Sequence, residues 1–383
     1  MSGKPPLRLI LHIGSAKSGS SAIQWFLRDN HKGMLGNGVL TPDKALDMVG
    51  PMEAEQIFFF EQMNTADNAE QKITQRLTSL RQYMLKQRLH TLIVSAENLL
   101  ERGPRLADPL ARAAVMFDDV RIICYVRRQD DFLISAWQQW FLKEFASLHA
   151  FLTVTAGVYA DWNSWLRPWE DAFGTERITV RPFQRDRLTN GDVVTDFLKV
   201  MDVPHANTAS LSGLSNRSFD EHLGDLAHRI RDEFDSIHDN RFYDTMLRTI
   251  GEQAYKSQRG SHLLTVDERI ALVSRYAEGN EALKHRYLPE WGDAPLFEPP
   301  SVRDVIKLNP VENLAAENAL LTRAVYRLSI RLQVLEGEAA KAARKATPLF
   351  SHPHAVTRRD ATFNHAKKNS LTKRLQKLWC RMI

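Results

Sequence analysis

The stretch that most restricts the fold of this chain lies near its start. There Leu9-Ile10-Leu11-His12-Ile13 stops at Gly14, and Ser15-Ala16-Lys17-Ser18-Gly19-Ser20-Ser21 follows. The apolar run has the character of a buried strand, and Gly14 with the small residues after it ends that strand. Ile23, Phe26 and Leu27 then recur at helical spacing. A strand, a tight polar loop and a helix start form a phosphate cradle. N–H groups at a helix N-terminus have no intrahelical acceptor and carry partial positive charge, so an anion fits there without a dedicated side chain.

The lysine narrows the choice of anion. A Walker A loop needs Gly-x4-Gly-Lys-Ser/Thr. From Gly14 the second glycine falls at Gly19, but Ser20 stands where the lysine is required. Lys17 lies inside the loop instead, with the hydroxyls of Ser18, Ser20 and Ser21 around it. The structural alternative is a strand-to-helix turn that uses Gly and Ser only for their conformational freedom.

A second motif runs from Val120 to Asp130, where an apolar strand ends in Arg127 and Arg128 and leads into a helix carrying Ser135. A guanidinium offers forked donors that suit phosphate. A serine one or two turns into the helix can face back toward the strand's end. Alternatively, the two arginines cap a sheet edge and pair with Asp130 or Asp131. Between the motifs, Thr91-Leu92-Ile93-Val94-Ser95-Ala96-Glu97 reads as a strand ending in a carboxylate. Ligands of open parallel sheets gather at the carboxyl ends of strands, so Glu97 is expected beside Lys17 and Arg127. Its alternative roles are to cap the turn at Asn98 or to pair with Arg102. His12, inside the first strand, is expected to be a packed core residue, and His90 to face the opposite end.

These segments resemble the sulfotransferases that use 3′-phosphoadenylyl sulfate (PAPS), in particular bacterial members of the carbohydrate or lipid type. In that family a Lys-Thr-Gly-Thr-Thr-like loop after the first strand holds the 5′-phosphosulfate. Here it reads Lys17-Ser18-Gly19-Ser20-Ser21, with Ala16 at a position commonly occupied by proline. The family's strand-end Arg, followed eight residues later by Ser, holds the 3′-phosphate, which implies Arg127 and Ser135. Many bacterial members carry Ser-x-Glu at the base, as Ser95-Ala96-Glu97 does. The strand Ile178 to Phe183 followed by a helix of about 191–201 with Asp196-Phe197-Leu198 also fits the family. So does Leu214-Ser215-Asn216-Arg217-Ser218, which would bring Arg217 over the nucleotide.

The resemblance spans roughly residues 7–300. It implies an α/β fold with a P-loop NTPase-like parallel sheet flanked by helices, and transfer of a sulfuryl group from PAPS to a hydroxyl. Adenosine 3′,5′-bisphosphate is the implied product, and no metal is invoked. Lys17 and Glu97 are the implied catalytic residues. Ser15, Ala16, Lys17, Ser18, Gly19, Ser20, Ser21, Arg127, Ser135 and Arg217 are the implied cofactor contacts. Two other functions compete: a nucleotide-dependent small-molecule kinase with a degenerate phosphate loop, and a non-catalytic membrane-associated scaffold.

Composition agrees with one sizeable α/β core plus an appendage: 383 residues, 43% hydrophobic, 25% charged. No charged leader or membrane-length apolar run is visible, so a cytoplasmic protein is expected. Cys124 and Cys380 are the only cysteines, too few for a disulfide framework or a zinc site. Trp162, Trp165 and Trp169 recur at helical spacing, which fits a core stripe better than a sugar-stacking platform.

Beyond residue 300 the chain changes character. Over 309–340, Val311, Leu314, Asn318, Leu321, Val325, Leu328, Leu332 and Leu335 alternate by three and four, a heptad seam with one Asn. It predicts a coiled coil through 311–335 and hence an oligomer, unless the stripe packs back on the preceding domain. Residues 341–383 carry eleven Lys and Arg against the single acid Asp360, a net +10 in a chain of net +5, leaving −5 on the rest. Leu371, Leu375, Leu378 and Met382 fall on one helical face of 371–383 amid basic residues. That pattern suits an anionic membrane surface, or else a solvated tail; no nucleic-acid partner is expected. A membrane-bound tail favours a glycan or lipid-linked acceptor, on the inner face of the membrane.

Overall fold

The computed structural model describes residues 5–48, 55–203, 219–256 and 260–346. Its centre is a five-stranded parallel sheet in the order β2-β3-β1-β4-β5. The strands are β1 (Arg8–Gly14), β2 (Val39–Leu40), β3 (Thr91–Ser95), β4 (Asp119–Val126) and β5 (Ile178–Pro182). The first apolar run therefore becomes the central strand, hydrogen-bonded along both edges, and every residue from Leu9 to Gly14 is buried. The pairing His12 with Ser95 and Gly14 with Cys124 brings the carboxyl ends of β3, β1 and β4 to one rim.

Side-chain alternation distributes the core over both faces. Ile10, Ile93, Ile123 and Tyr125 meet the helices Ser20–Asp29 and Val193–Val200 on one side. Leu9, Leu11, Val94, Ile122 and Cys124 meet the helices Ala69–Gln87, Gly103–Ala114 and Trp162–Phe173 on the other. The tryptophan stripe belongs to that core, with Trp162 and Trp169 fully buried. Their indole N–H groups donate to the carbonyls of Arg127 (2.9 Å) and Leu100 (3.2 Å). Asp196 is also structural: it accepts from Tyr125 Oη at 2.9 Å and from Arg181 at 2.6 and 3.0 Å.

The sequence reads as one helical region over about 53–88 and a helix over about 131–146, and the structure differs at both. The region 53–88 divides into Ile57–Thr65 and Ala69–Gln87, because Asn64-Thr65-Ala66-Asp67-Asn68 contains weak helix formers. The helix expected to reach residue 146 stops at Gln139. Beyond it Phe141 stacks on Phe151 with ring centres 4.7 Å apart, and tertiary packing overrides the continuing apolar period.

A last helix runs from Pro310 to Ala346. Contacts divide the chain into one unit ending at Val325 and another beginning at Tyr326. Within the first, Leu320 and Ala324 are buried and Glu317 accepts from Arg229 at 2.7 Å. Up to Val325 these residues pack on the domain, whereas Val311, Leu314, Leu321 and Val325 of the heptad seam are exposed. Leu214 to Ser218, including Arg217, and the tail from 347 onward, including 371–383, lie outside the described residues.

Candidate active site

The loop between β1 and the helix Ser20–Asp29 is shaped by two glycines. Gly14 has φ +96°, and a Cβ there would sit 1.9 Å from the carbonyl oxygen of Glu97. Only glycine lets the end of β1 pass so close to Glu97, the second residue beyond β3. Gly19, φ +85°, caps the helix, and a Cβ there would meet the Phe183 ring at 2.7 Å. Lys17 itself adopts φ +61°, the left-handed region that a lysine enters only when its surroundings hold it there.

Two kinds of bond hold it. Arg127 Nη1 donates to the carbonyl oxygen of Lys17 at 3.0 Å, and the Lys17 ammonium lies over the Trp140 ring, 5.4 Å from its centre. Beneath them Ser15 Oγ and Ser18 Oγ share a hydrogen bond of 2.8 Å. Ser20 Oγ donates to the Ser15 carbonyl at 3.0 Å, and Ser15 N–H to the Tyr125 carbonyl at 3.0 Å. The three buried hydroxyls of Ser15, Ser18 and Ser20 thus brace the loop from inside. The amides from Ala16 to Ser21 have no acceptor among the described residues, and pairing resumes at Ala22 N–H with the Gly19 carbonyl. That row of unspent donors is what an anion-binding nest offers.

The strand-end arginines separate into two roles. Arg128 is buried and donates from Nε to Asp130 at 2.6 Å and from Nη1 to the Glu298 carbonyl at 3.0 Å. Buried Arg269 donates to the same Asp130 at 2.7 Å and to Asp131 at 3.0 Å. The edge-capping alternative therefore describes Arg128, whereas Arg127 turns to the loop. Arg127 is fixed further by Trp162, whose indole holds its carbonyl. Ser135 lies half-buried in the second turn of the helix Gln129–Gln139.

Glu97 follows β3 and is half-buried. Arg102 pairs with Glu61 at 3.4 Å, not with Glu97. Burial pushes the Glu97 carboxyl up from the usual range, Lys17 opposes the shift, and Glu55 and Glu101 add to it. Burial in turn lowers the Lys17 ammonium to about 8, against the pull of Glu97 and with the help of Arg127. The two groups sense each other's charge without closing an ion pair among the described residues. His12 is buried in the strand, hydrogen-bonded to Ser95 Oγ at 2.8 Å, and burial lowers it to about 4, so it stays neutral.

Lys17, Glu97, Arg127 and the loop from Ser15 to Ser21 are thus together at one rim of the sheet. Trp140, the hold of the Trp162 indole on Arg127 and the conformational need for Gly14 were not singled out from the sequence. Trp140 offered only a faint signal, as one of two tryptophans shortly past Ser135, with Trp137. Among the described residues no group of His, Cys, Asp and Glu could hold a metal ion, and no helix is long and apolar enough to cross a membrane.

No family model matches this chain. An uncharacterized protein of Archaeoglobus fulgidus is 28% identical over 174 residues, 44% of this chain and 45% of that protein. The match therefore spans less than half of the relative's length. Among solved structures, a sulfotransferase from Alicyclobacillus acidocaldarius aligns over 76% of this chain and 99% of its own. The identity is 13% and the TM-score 0.35, a likeness too slight to fix fold or function.

Proposed function

We propose that this chain transfers a sulfuryl group from PAPS to a hydroxyl of a glycan or lipid-linked acceptor. The observation that carries the reading is the hydrogen bond from Arg127 to the Lys17 carbonyl. It joins the cationic end of β4 to the anion loop after β1, so phosphate donors converge from two strands. The residues suit a nucleotide with phosphates at both ends of its ribose. The amides of Ala16 to Ser21 and Lys17 would hold the 5′-phosphosulfate, and Arg127 with Ser135 the 3′-phosphate. Arg217 remains a further proposed contact. When bound, PAPS supplies the activated sulfuryl group.

Glu97 accepts the proton of the acceptor hydroxyl as that oxygen forms its bond to sulfur. The bond from sulfur to the 5′-phosphate oxygen breaks, and adenosine 3′,5′-bisphosphate leaves. A carboxyl raised by burial is a better proton acceptor than an ordinary one. Lys17 and the loop amides stabilise the charge that builds on the departing phosphate. Positioning and preset charge supply most of the rate, as in phosphoryl transfer. The acceptor is met at an anionic membrane surface that the segment 371–383 binds, on the cytoplasmic side.

The test is transfer of sulfur-35 from labelled PAPS into fractions of a whole-cell extract. Label should pass with the native protein, fail with Lys17→Ala, and fall about 100-fold or more with Glu97→Gln. Glu97→Gln should keep its affinity for adenosine 3′,5′-bisphosphate. Equal transfer by Lys17→Ala overturns the assignment. So does a melting temperature that rises with ATP and not with the bisphosphate.

A further inference from the structure

Over 310–325 the last helix carries an apolar face that its own domain leaves uncovered, and the heptad seam continues to Leu335. The domain binds a neighbouring face through Glu317, Leu320 and Ala324. Leu314, Val325 and Leu332 remain 52%, 66% and 57% exposed. An apolar stripe of this length standing in water marks an interaction surface.

We infer that this face pairs with the same helix of a second copy in a parallel, in-register, two-stranded coiled coil. The residue types at each position carry the inference. One set of seam positions holds Val311, Asn318, Val325 and Leu332, and the other holds Leu314, Leu321, Leu328 and Leu335. β-branched residues at a with leucine at d favour two parallel strands. A single Asn at an a position fixes register, because in a parallel pair Asn318 meets its own counterpart, and any slip buries it against leucine or valine. Arg331 and Glu336 fall at flanking g and e positions with opposite charge, the spacing at which parallel strands exchange salt bridges. Tyr326, Ile330 and Val334 form a separate stripe on another side of the helix, outside this seam. The pairing is independent of the proposed reaction.

The full chain tests it by sedimentation equilibrium. The expected mass is about twice 43.8 kDa at tens of micromolar protein. Leu321→Glu with Leu328→Glu should halve it without lowering the melting temperature of the domain, and Ile330→Glu should leave it unchanged. Leu332→Cys in a Cys380→Ser background reads orientation. Parallel helices in register bring the two thiols within disulfide reach. Antiparallel ones about the seam's midpoint separate them by about 27 Å at 1.5 Å per residue. Efficient cross-linking under mild oxidation is expected. A monomer, a trimer, a dimer that survives the double Glu variant or is lost with Ile330→Glu, or absence of the cross-link would each overturn the inference. A monomer would assign the seam to a different chain.

Discussion

The depressed ammonium of Lys17 makes the strongest quantitative demand on this site. With its value at about 8, Lys17 is about 90% charged at pH 7 and about 3% charged at pH 9.5. The sign follows directly: burial disfavours the cation, so charge is lost as pH rises through 8, well before an ordinary lysine releases its proton. A bound phosphate restores the charge. Affinity for adenosine 3′,5′-bisphosphate should therefore fall about tenfold, or about 1.4 kcal/mol, for each pH unit above 8, until the affinity of the neutral site is reached. The ligand's phosphates are already ionised over that range, their second ionisation lying near about pH 6. Titration calorimetry in buffers of different ionisation enthalpy would measure both the affinity and the linked proton. At pH 8.5 about three quarters of a proton should be taken up per site. Lys17→Met should bind weakly at every pH, with no alkaline limb and no proton uptake. An affinity that stays flat for the native protein from pH 7 to 9.5, or a limb that persists in Lys17→Met, would refute the reasoning. Absence of binding at any pH would remove the cofactor assignment itself.

Three further substitutions probe separate parts of the site. Arg127→Ala should weaken adenosine 3′,5′-bisphosphate by about 100-fold and adenosine 5′-phosphate far less, since charge-assisted bonds to the second phosphate contribute about 1.5–3 kcal/mol each; competition binding gives the ratio, and equal losses would remove the 3′-phosphate role. Gly14→Ala should lower stability by about 3 kcal/mol, combining strain at positive φ with a clash against the Glu97 carbonyl; an unchanged urea midpoint contradicts it. Asp130→Asn should cost about 3–5 kcal/mol by leaving Arg128 and Arg269 buried beside a neutral partner. Asp131→Asn should cost less because that side chain is more exposed, and denaturant unfolding of the two variants compares them.

The rim of the site was readable in the chain because each of its parts is local. Leu9 to Ser21, Thr91 to Glu97 and Val120 to Arg127 each state a strand and its end within about a dozen residues, and a parallel sheet brings such ends together without further instruction. What was not readable depends on contacts between distant segments. Nothing near Trp140 says that its ring lies under a lysine far earlier in the chain. Arg127 and Arg128 look alike as neighbours, and nothing local says that Arg128 turns to Asp130, which it shares with the buried Arg269 of a late helix, while Arg127 turns to the loop. The two-residue strand β2 is too short to leave a pattern. The early stop of the helix at Gln139 reflects the ring stacking of Phe141 on Phe151, which no local propensity records. The heptad seam was visible as spacing, whereas the face that docks on the domain was not, because Glu317, Leu320 and Ala324 differ in character and share only a partner.

The lysine at the centre of the loop is governed almost entirely from elsewhere in the chain. Its backbone carbonyl is held by Arg127, its ammonium rests on Trp140, and Arg127 is held by Trp162. For protein engineering the loop is not a transplantable cassette. A graft of residues 14–21 into another parallel sheet would carry the amides and lose the lysine's setting. A graft that also brings 126–140, with an indole donor at the place of Trp162, would keep it. Positions 17, 127, 140 and 162 form one structural unit, and a substitution at any of them alters the setting of the lysine.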